Sequence, residues 1–157
     1  MDYIMLLKRF FLSAALLGAL GPAAAQDKPA VQYDAALAKS LGADDMGMRS
    51  YVLVILKTGP NKMTDKEGRK KMFEGHFANI KRLASEKKLV LAGPLDGVEG
   101  RRGIFVFNTP DIEEAKKFVA TDPVIVNGEM VAEYHKFYGS AALMAVNDIH
   151  AKIEKPH

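Results

Sequence analysis

The chain carries an unbroken apolar run at Tyr51-Val-Leu-Val-Ile-Leu56. Strand alternation puts Val52, Val54 and Leu56 on one face and Leu53 and Ile55 on the other, so both faces call for cover. After the breaker Thr58-Gly-Pro-Asn61 the period changes. Met72, Phe73, Phe77, Ile80, Leu83 and Ala84 recur at helical spacing and predict a long helix with an apolar stripe. Thr64-Asp-Lys-Glu67 has the form of a capping box and predicts that helix's start. Leu89-Val-Leu-Ala92 predicts a second strand, stopped by Gly93-Pro94. Gly103-Ile-Phe-Val-Phe107 predicts a third, joined to the second as a hairpin through Asp96-Gly97 and Glu99-Gly100. Thr109 is expected to cap a second helix, with Pro110 at its first position and Ile112, Ala115, Phe118 and Val119 facing inward. Asp122-Pro123 reads as that helix's end, and Met130 to Tyr138 as the last strand.

These elements run in the order βαββαβ, an α+β, ferredoxin-like arrangement. Two right-handed crossovers place both helices on one face of an antiparallel sheet. The other face is left bare with an apolar first strand, which predicts sheet-on-sheet pairing in an isologous homodimer. Extra helical patterns flank this core: Tyr33, Leu37 and Leu41 before Gly42, and Leu143, Val146, Ile149 and Ile153 after a Ser140 cap. The expected division is residues 1–25 a signal peptide, 26–48 a lead-in with a short helix, 49–139 the α+β domain, and 140–157 a C-terminal helix and tail.

The signal-peptide reading rests on Lys8-Arg9, the apolar stretch Phe10 to Leu20, and Ala23-Ala24-Ala25 before Gln26. The apolar stretch is short for a membrane span and interrupted by Gly18. Export to the periplasm or outside the cell is expected, with no membrane association after cleavage. Removing Asp2, Lys8 and Arg9 takes the net charge from +3 to +2, since those three sum to +1. Lys and Glu are mixed along the chain, so no nucleic-acid stripe is expected. The absence of cysteine excludes disulfides and thiolate metal sites. RNA-recognition domains share the βαββαβ order, but the aromatic spacing at Arg102-Gly103-Ile104-Phe105-Val106-Phe107 does not fit their third-strand motif.

One polar residue breaks the stripe of the long helix. His76 lies three or four residues from Met72, Phe73 and Ile80, on the inward face. It is either a core histidine that fixes packing or a general acid–base group. Gly75, beside it, weakens the helix and admits a close neighbour. Glu133 and His135 share a strand face, but two residues do not make a ligand set, so neither metal nor cofactor is expected. Arg101 and Arg102 at the hairpin could hold an anion or be solvated. No serine or cysteine nucleophile motif is visible.

Three stretches together resemble the YciI-like (YCII-related) family of the dimeric α/β-barrel superfamily: Glu-Gly-His-Phe-Ala-Asn-Ile-Lys at 74–81, Leu-Val-Leu-Ala-Gly-Pro at 89–94, and Asp-Pro-Val-Ile-Val-Asn-Gly at 122–128. The resemblance runs from Ser50 to about Phe137. It implies a dimeric barrel and an active site that pairs His76 with Asp122, near the strand end Gly93-Pro94. Val124 departs from the family pattern, where an aromatic is common. Gly93, Pro94 and Tyr134 are expected to contact a small-molecule ligand; Tyr134 and Tyr138 could equally fill the barrel. An imidazole held by a carboxylate suits isomerisation, lactone chemistry or decarboxylation. The alternative is a non-catalytic module that binds a small ligand through the same pair.

Overall fold

The apolar run around Tyr51 becomes the middle of strand β1, Met48–Thr58, in a computed structural model that describes residues 32–155. The expected signal peptide lies outside the described residues. Chain order continues with helix α2, Lys66–Ser85, then β2, Leu89–Pro94, and β3, Arg101–Phe107. Helices α3, Ile112–Val119, and α4, Pro123–Val126, lead into β4, Met130–Ser140. Helix α1, Ala35–Leu41, precedes the sheet; a 3-10 turn, Ala141–Ala145, and helix α5, Val146–Ile153, follow it. All of these belong to one compact unit that begins at Tyr33. No helix among the described residues is long and apolar enough to cross a membrane.

The sheet is antiparallel throughout with strand order β2-β3-β1-β4, the α+β, ferredoxin-like arrangement expected from the pattern. Val52, Val54, Leu56, Phe105 and Phe107 form its helix-covered face, packed against Met72 and Leu83 of α2, Ala115 and Val119 of α3, and Val124 of α4. Each buried Val, Leu, Met or Phe of this set contributes roughly 1.5–3 kcal/mol, and the Ala115 methyl less. The second face is not bare as expected. Leu143 and Met144 of the 3-10 turn pack on Tyr51, Val90 and Val106. Asn147 of α5 donates to the Leu89 carbonyl at 2.8 Å. The far end of that face, with Ile55 and Ile104, stays half-buried.

Three boundaries differ from expectation, each through an aspartate. Asp65, not Thr64, caps α2: its carboxylate accepts from the amides of Glu67 at 3.2 Å and Gly68 at 2.9 Å. A carboxylate can serve two amides of a positive helix end, which a hydroxyl one residue earlier does not match. Asp111, not Thr109, caps α3, accepting from Glu113 at 2.9 Å. Thr109 instead braces the turn, accepting from Asp111 N and donating to Glu114. Asp122-Pro123 does not end α3, which stops at Val119, but opens α4 with Pro123 in the first turn. The stripe of α2 is also rotated. Its buried residues are Met72, His76, Asn79 and Leu83, while Phe77 is 58% exposed.

One irregularity bears on the site. Leu56 of β1 faces Gly103 and Lys57 faces Arg101, so Arg102 is an extra residue on β3, a β-bulge. Strict alternation from Gly103 would send Arg102 to the face carrying Ile104. The bulge puts Arg102 and Gly103 on the helix side instead, where Arg102 lines the same hollow as His76.

Candidate active site

His76 and Asp122 meet because two helices converge at a glycine. A Cβ on Gly75 would stand 3.0 Å from Pro123 Cγ, so α2 can approach the first turn of α4 this closely only without one. Asp122 is held from both directions. Its amide donates to the Val119 carbonyl at 3.0 Å, and its Oδ1 accepts from the Val124 amide at 3.1 Å. A polar clasp fixes the junction beside it: Asn79 Oδ1 accepts from Arg82 Nη2 at 2.7 Å and from Thr121 Oγ1 at 3.0 Å. Sequence reasoning missed Asn79 and Thr121. The available signal was that Asn79 lies three residues after His76 and must share its face.

His76 Nδ1 sits 2.9 Å from Asp122 Oδ1 and 2.8 Å from Oδ2. Asp122 is fully buried and His76 is 8% exposed. An ionised carboxylate only accepts, so Nδ1 carries the proton and the other nitrogen, Nε2, is the basic one in the neutral ring. Nε2 makes no hydrogen bond to the described residues. The ring stands among aromatics, with centroids at 5.9 Å from Phe73, 5.3 Å from Phe77 and 6.1 Å from Phe105.

These rings wall a hollow of about 400 Å³ between α2 and the ends of β2 and β3. Gly93 and Pro94 line it. Tyr134 does not: it faces Val54 in the sheet register, packs on the core, and has Lys116 6.0 Å from its ring centre. Burial, with the nearby Glu113 charge, raises the Tyr134 hydroxyl above the usual phenol range. Tyr138 is also elsewhere, hydrogen-bonded to Asp44. Among the described residues, His76 and Arg102 are the only polar side chains lining the hollow. The two arginines separate: Arg101 pairs with Glu99 at 2.7 Å on the surface, while Arg102 turns inward. A larger hollow of about 490 Å³ lies between α1, the end of α2 and α5, but contains no comparable acid–base pair.

Glu129, a further buried carboxylate with no sequence signal, precedes Met130 of the hollow's lining and itself lines a separate polar hollow with Arg102. Its Oε1 accepts from Arg69 Nε at 3.0 Å and Nη2 at 2.7 Å, and its Oε2 accepts from the Met63 amide at 3.0 Å. The Arg69 hydrogen bonds, then the Met63 amide, hold its carboxyl below the usual glutamate range. Glu133 and His135 do touch, at 2.8 Å, but on the opposite sheet face from His76. No group of three or more His, Asp or Glu side chains among the described residues is placed to hold a metal ion.

The YCII-related domain matches residues 50–138, more than half of the chain. Among solved structures, one similar to this chain is 5-chloro-2-hydroxyhydroquinone dehydrochlorinase (TftG) from Burkholderia phenoliruptrix AC1100, in complex with 2,5-dihydroxybenzoquinone. The two are 16% identical with a TM-score of 0.40, over 55% of this chain and 92% of that one. No curated protein matches.

Proposed function

The chain belongs to the YCII-related family, and from the geometry of its site we propose that it is a small-molecule enzyme in which His76, oriented by Asp122, moves a proton. The observation that carries this reading is a basic Nε2 without a partner among the described residues, facing an apolar hollow, on a ring whose Nδ1 is held by both oxygens of a fully buried carboxylate. In the reaction Nε2 takes a proton from a substrate carbon or hydroxyl, or from water. The imidazolium so formed is stabilised by the Asp122 carboxylate, which keeps its charge. That proton is then given to a second substrate atom, as in isomerisation; to the ring oxygen released when a water deprotonated by Nε2 adds to a lactone carbonyl; or to the carbanion left when CO2 departs from a substrate whose hydroxyl gave up the proton. Displacement of water by the aromatic walls strengthens the charge interactions on which this depends.

The test is a thermal-shift screen of small acids and lactones on wild type and His76→Gln, followed by NMR of every hit in D2O. Solvent deuterium entering the ligand, or product forming, only when His76 is present is the expected outcome. A ligand that binds wild type firmly and is returned unchanged would identify a binding module instead.

Export and dimerisation belong to the same reading. Lys8-Arg9, the apolar stretch and Ala23-Ala24-Ala25 support secretion, and a mature N-terminus at Gln26 in protein recovered from the native source is expected. The half-buried Ile55 and Ile104, outside the cluster that Leu143 and Met144 join, support a sheet-to-sheet homodimer. A monomer in sedimentation at micromolar concentration overturns that assembly.

A further inference from the structure

We infer that the hollow is a binding site for a small anion with an apolar, flat body, and that Arg102 is the residue that selects the anionic group. The inference rests on the reading of His76 as the reacting group of the same hollow and names the substrate class that reading leaves open.

Arg102 is where it is because of the bulge. As the extra residue between the Leu56–Gly103 and Lys57–Arg101 pairs, it leaves the alternation of β3 and enters the helix-side space. Bulges beside binding sites commonly re-aim one side chain in this way. Its guanidinium makes no hydrogen bond or ion pair among the described residues. The carboxylate nearest in effect is Glu129, whose charge it helps to stabilise from a distance. Glu129 is already taken: both its oxygens are engaged, by Arg69 and by the Met63 amide. Arg102 therefore keeps its donor fork for something else.

The surroundings fix what that is. Arg102 stands at the partition between two hollows. On one side lies the aromatic space with His76. On the other lies a polar hollow of about 280 Å³ where Lys62, Arg69 and Arg102 outnumber the single carboxylate of Glu129. The positive excess, next to low-dielectric aromatic walls, draws an anion to that end and leaves the body of the ligand against Phe73 and Phe105. A planar carboxylate matches the arginine fork, and a lysine head would match it less well. The ligand then lies with its charge on Arg102 and a reacting atom toward His76 Nε2.

Binding of benzoate, 4-hydroxybenzoate and cyclohexanecarboxylate, each against its primary amide, tests this. Affinity is read by calorimetry and location by the ring nitrogen resonances of His76. At least one acid is expected to bind and shift those resonances, with its amide weaker by about tenfold or more, as for a charge-assisted hydrogen bond. Arg102→Gln should erase the acid preference and Arg102→Lys should keep part of it. Arg101→Gln, whose partner is surface Glu99, should leave it unchanged. Melting temperatures near wild type are expected for Arg102→Gln, since no hydrogen bond is lost. No acid binding, amides binding as tightly as acids, or an acid preference that survives Arg102→Gln each overturns the assignment. An acid held through Arg102 that shows no His76-dependent exchange leaves the anion site standing and removes the acid–base reading. Exchange on neutral compounds, indifferent to Arg102, does the reverse.

Discussion

Gly75→Ala sets two measurable effects against each other. On helix propensity alone, alanine within α2 should stabilise the protein by about 0.8–1 kcal/mol. The methyl, however, arrives 3.0 Å from Pro123 Cγ. Carbon pairs rest at roughly 3.5–4.0 Å, so α2 and α4 must part by about half an ångström. Pro123 directly follows Asp122, and the displacement falls on the dyad. Contacts now at 2.8 and 2.9 Å would lengthen to about 3.3–3.4 Å, past the usual limit near 3.2 Å. A hydrogen bond to a charged group is worth about 1.5–3 kcal/mol, so weakening it offsets the propensity gain. Urea unfolding should therefore show a net change close to zero. The Nδ1 proton of His76 should exchange faster than in wild type, and turnover should fall although neither dyad residue has been touched. A gain of the full propensity value with an unchanged Nδ1 signal and unchanged turnover refutes the reasoning. It would mean that the proline ring absorbs the methyl and that Gly75 does not set the approach of the two helices.

Other expectations follow from the same geometry. Asp122→Asn keeps an oxygen for the Val124 amide but presents the ring with a donor, favouring the wrong tautomer; kcat should fall by about 10²–10⁴ with little change in unfolding midpoint. Asp122→Ala removes the cap as well, at about 1 kcal/mol, and orphans a buried ring N–H, at about 1–3 kcal/mol, both read by chemical denaturation. Glu129 has its carboxyl lowered in the folded state by Arg69 and the Met63 amide. Its contribution is therefore complete above the unfolded glutamate value of about 4.3 and is lost as pH falls through the lower folded value. Glu129→Gln should be less stable near neutral pH, with a shallower loss of stability across that acid window in urea titrations. Leu83→Ala should cost about 2–5 kcal/mol, and exposed Phe77→Ala under about 1 kcal/mol, although both belong to the sequence's apolar stripe.

That last contrast shows where sequence periodicity succeeds and where it stops. Four strands, their order and the inward side of α2 are written in runs of apolar residues whose period is 2 or 3.6. The direction of a helix face to within one residue is not. Asn79 is buried and Phe77 exposed because Asn79 has Arg82 and Thr121 to satisfy its oxygen, while Phe77 borders a hollow rather than a core. Helix starts shifted by one or two residues for a related reason. Thr64 and Thr109 fit the capping pattern, but Asp65 and Asp111 bring a charge to the helix dipole. Tyr134 has two readings from the sequence, a ligand contact or a filler of the barrel. Its register opposite Val54 assigns it to packing.

Two of the residues that make the hollow chemical, Asp122 and Arg102, stand at breaks in regular structure, while His76 lies within the continuous helix α2. Asp122 reaches His76 because it is a cap, outside both α3 and α4, with a side chain turned back to the first turn. His76 is approached because its neighbour Gly75 carries no Cβ to hold Pro123 away. Arg102 faces inward because one residue too many interrupts β3. Without the bulge Arg102 would have pointed to the other sheet face, and without the cap position Asp122 would not have met His76. The irregularities cost stability locally, and the surrounding core, anchored by Val54, Phe107 and Leu83, is what holds them in register. It follows that substitutions that touch these junctions, such as alanine at Gly75, should act on the site before they act on the fold.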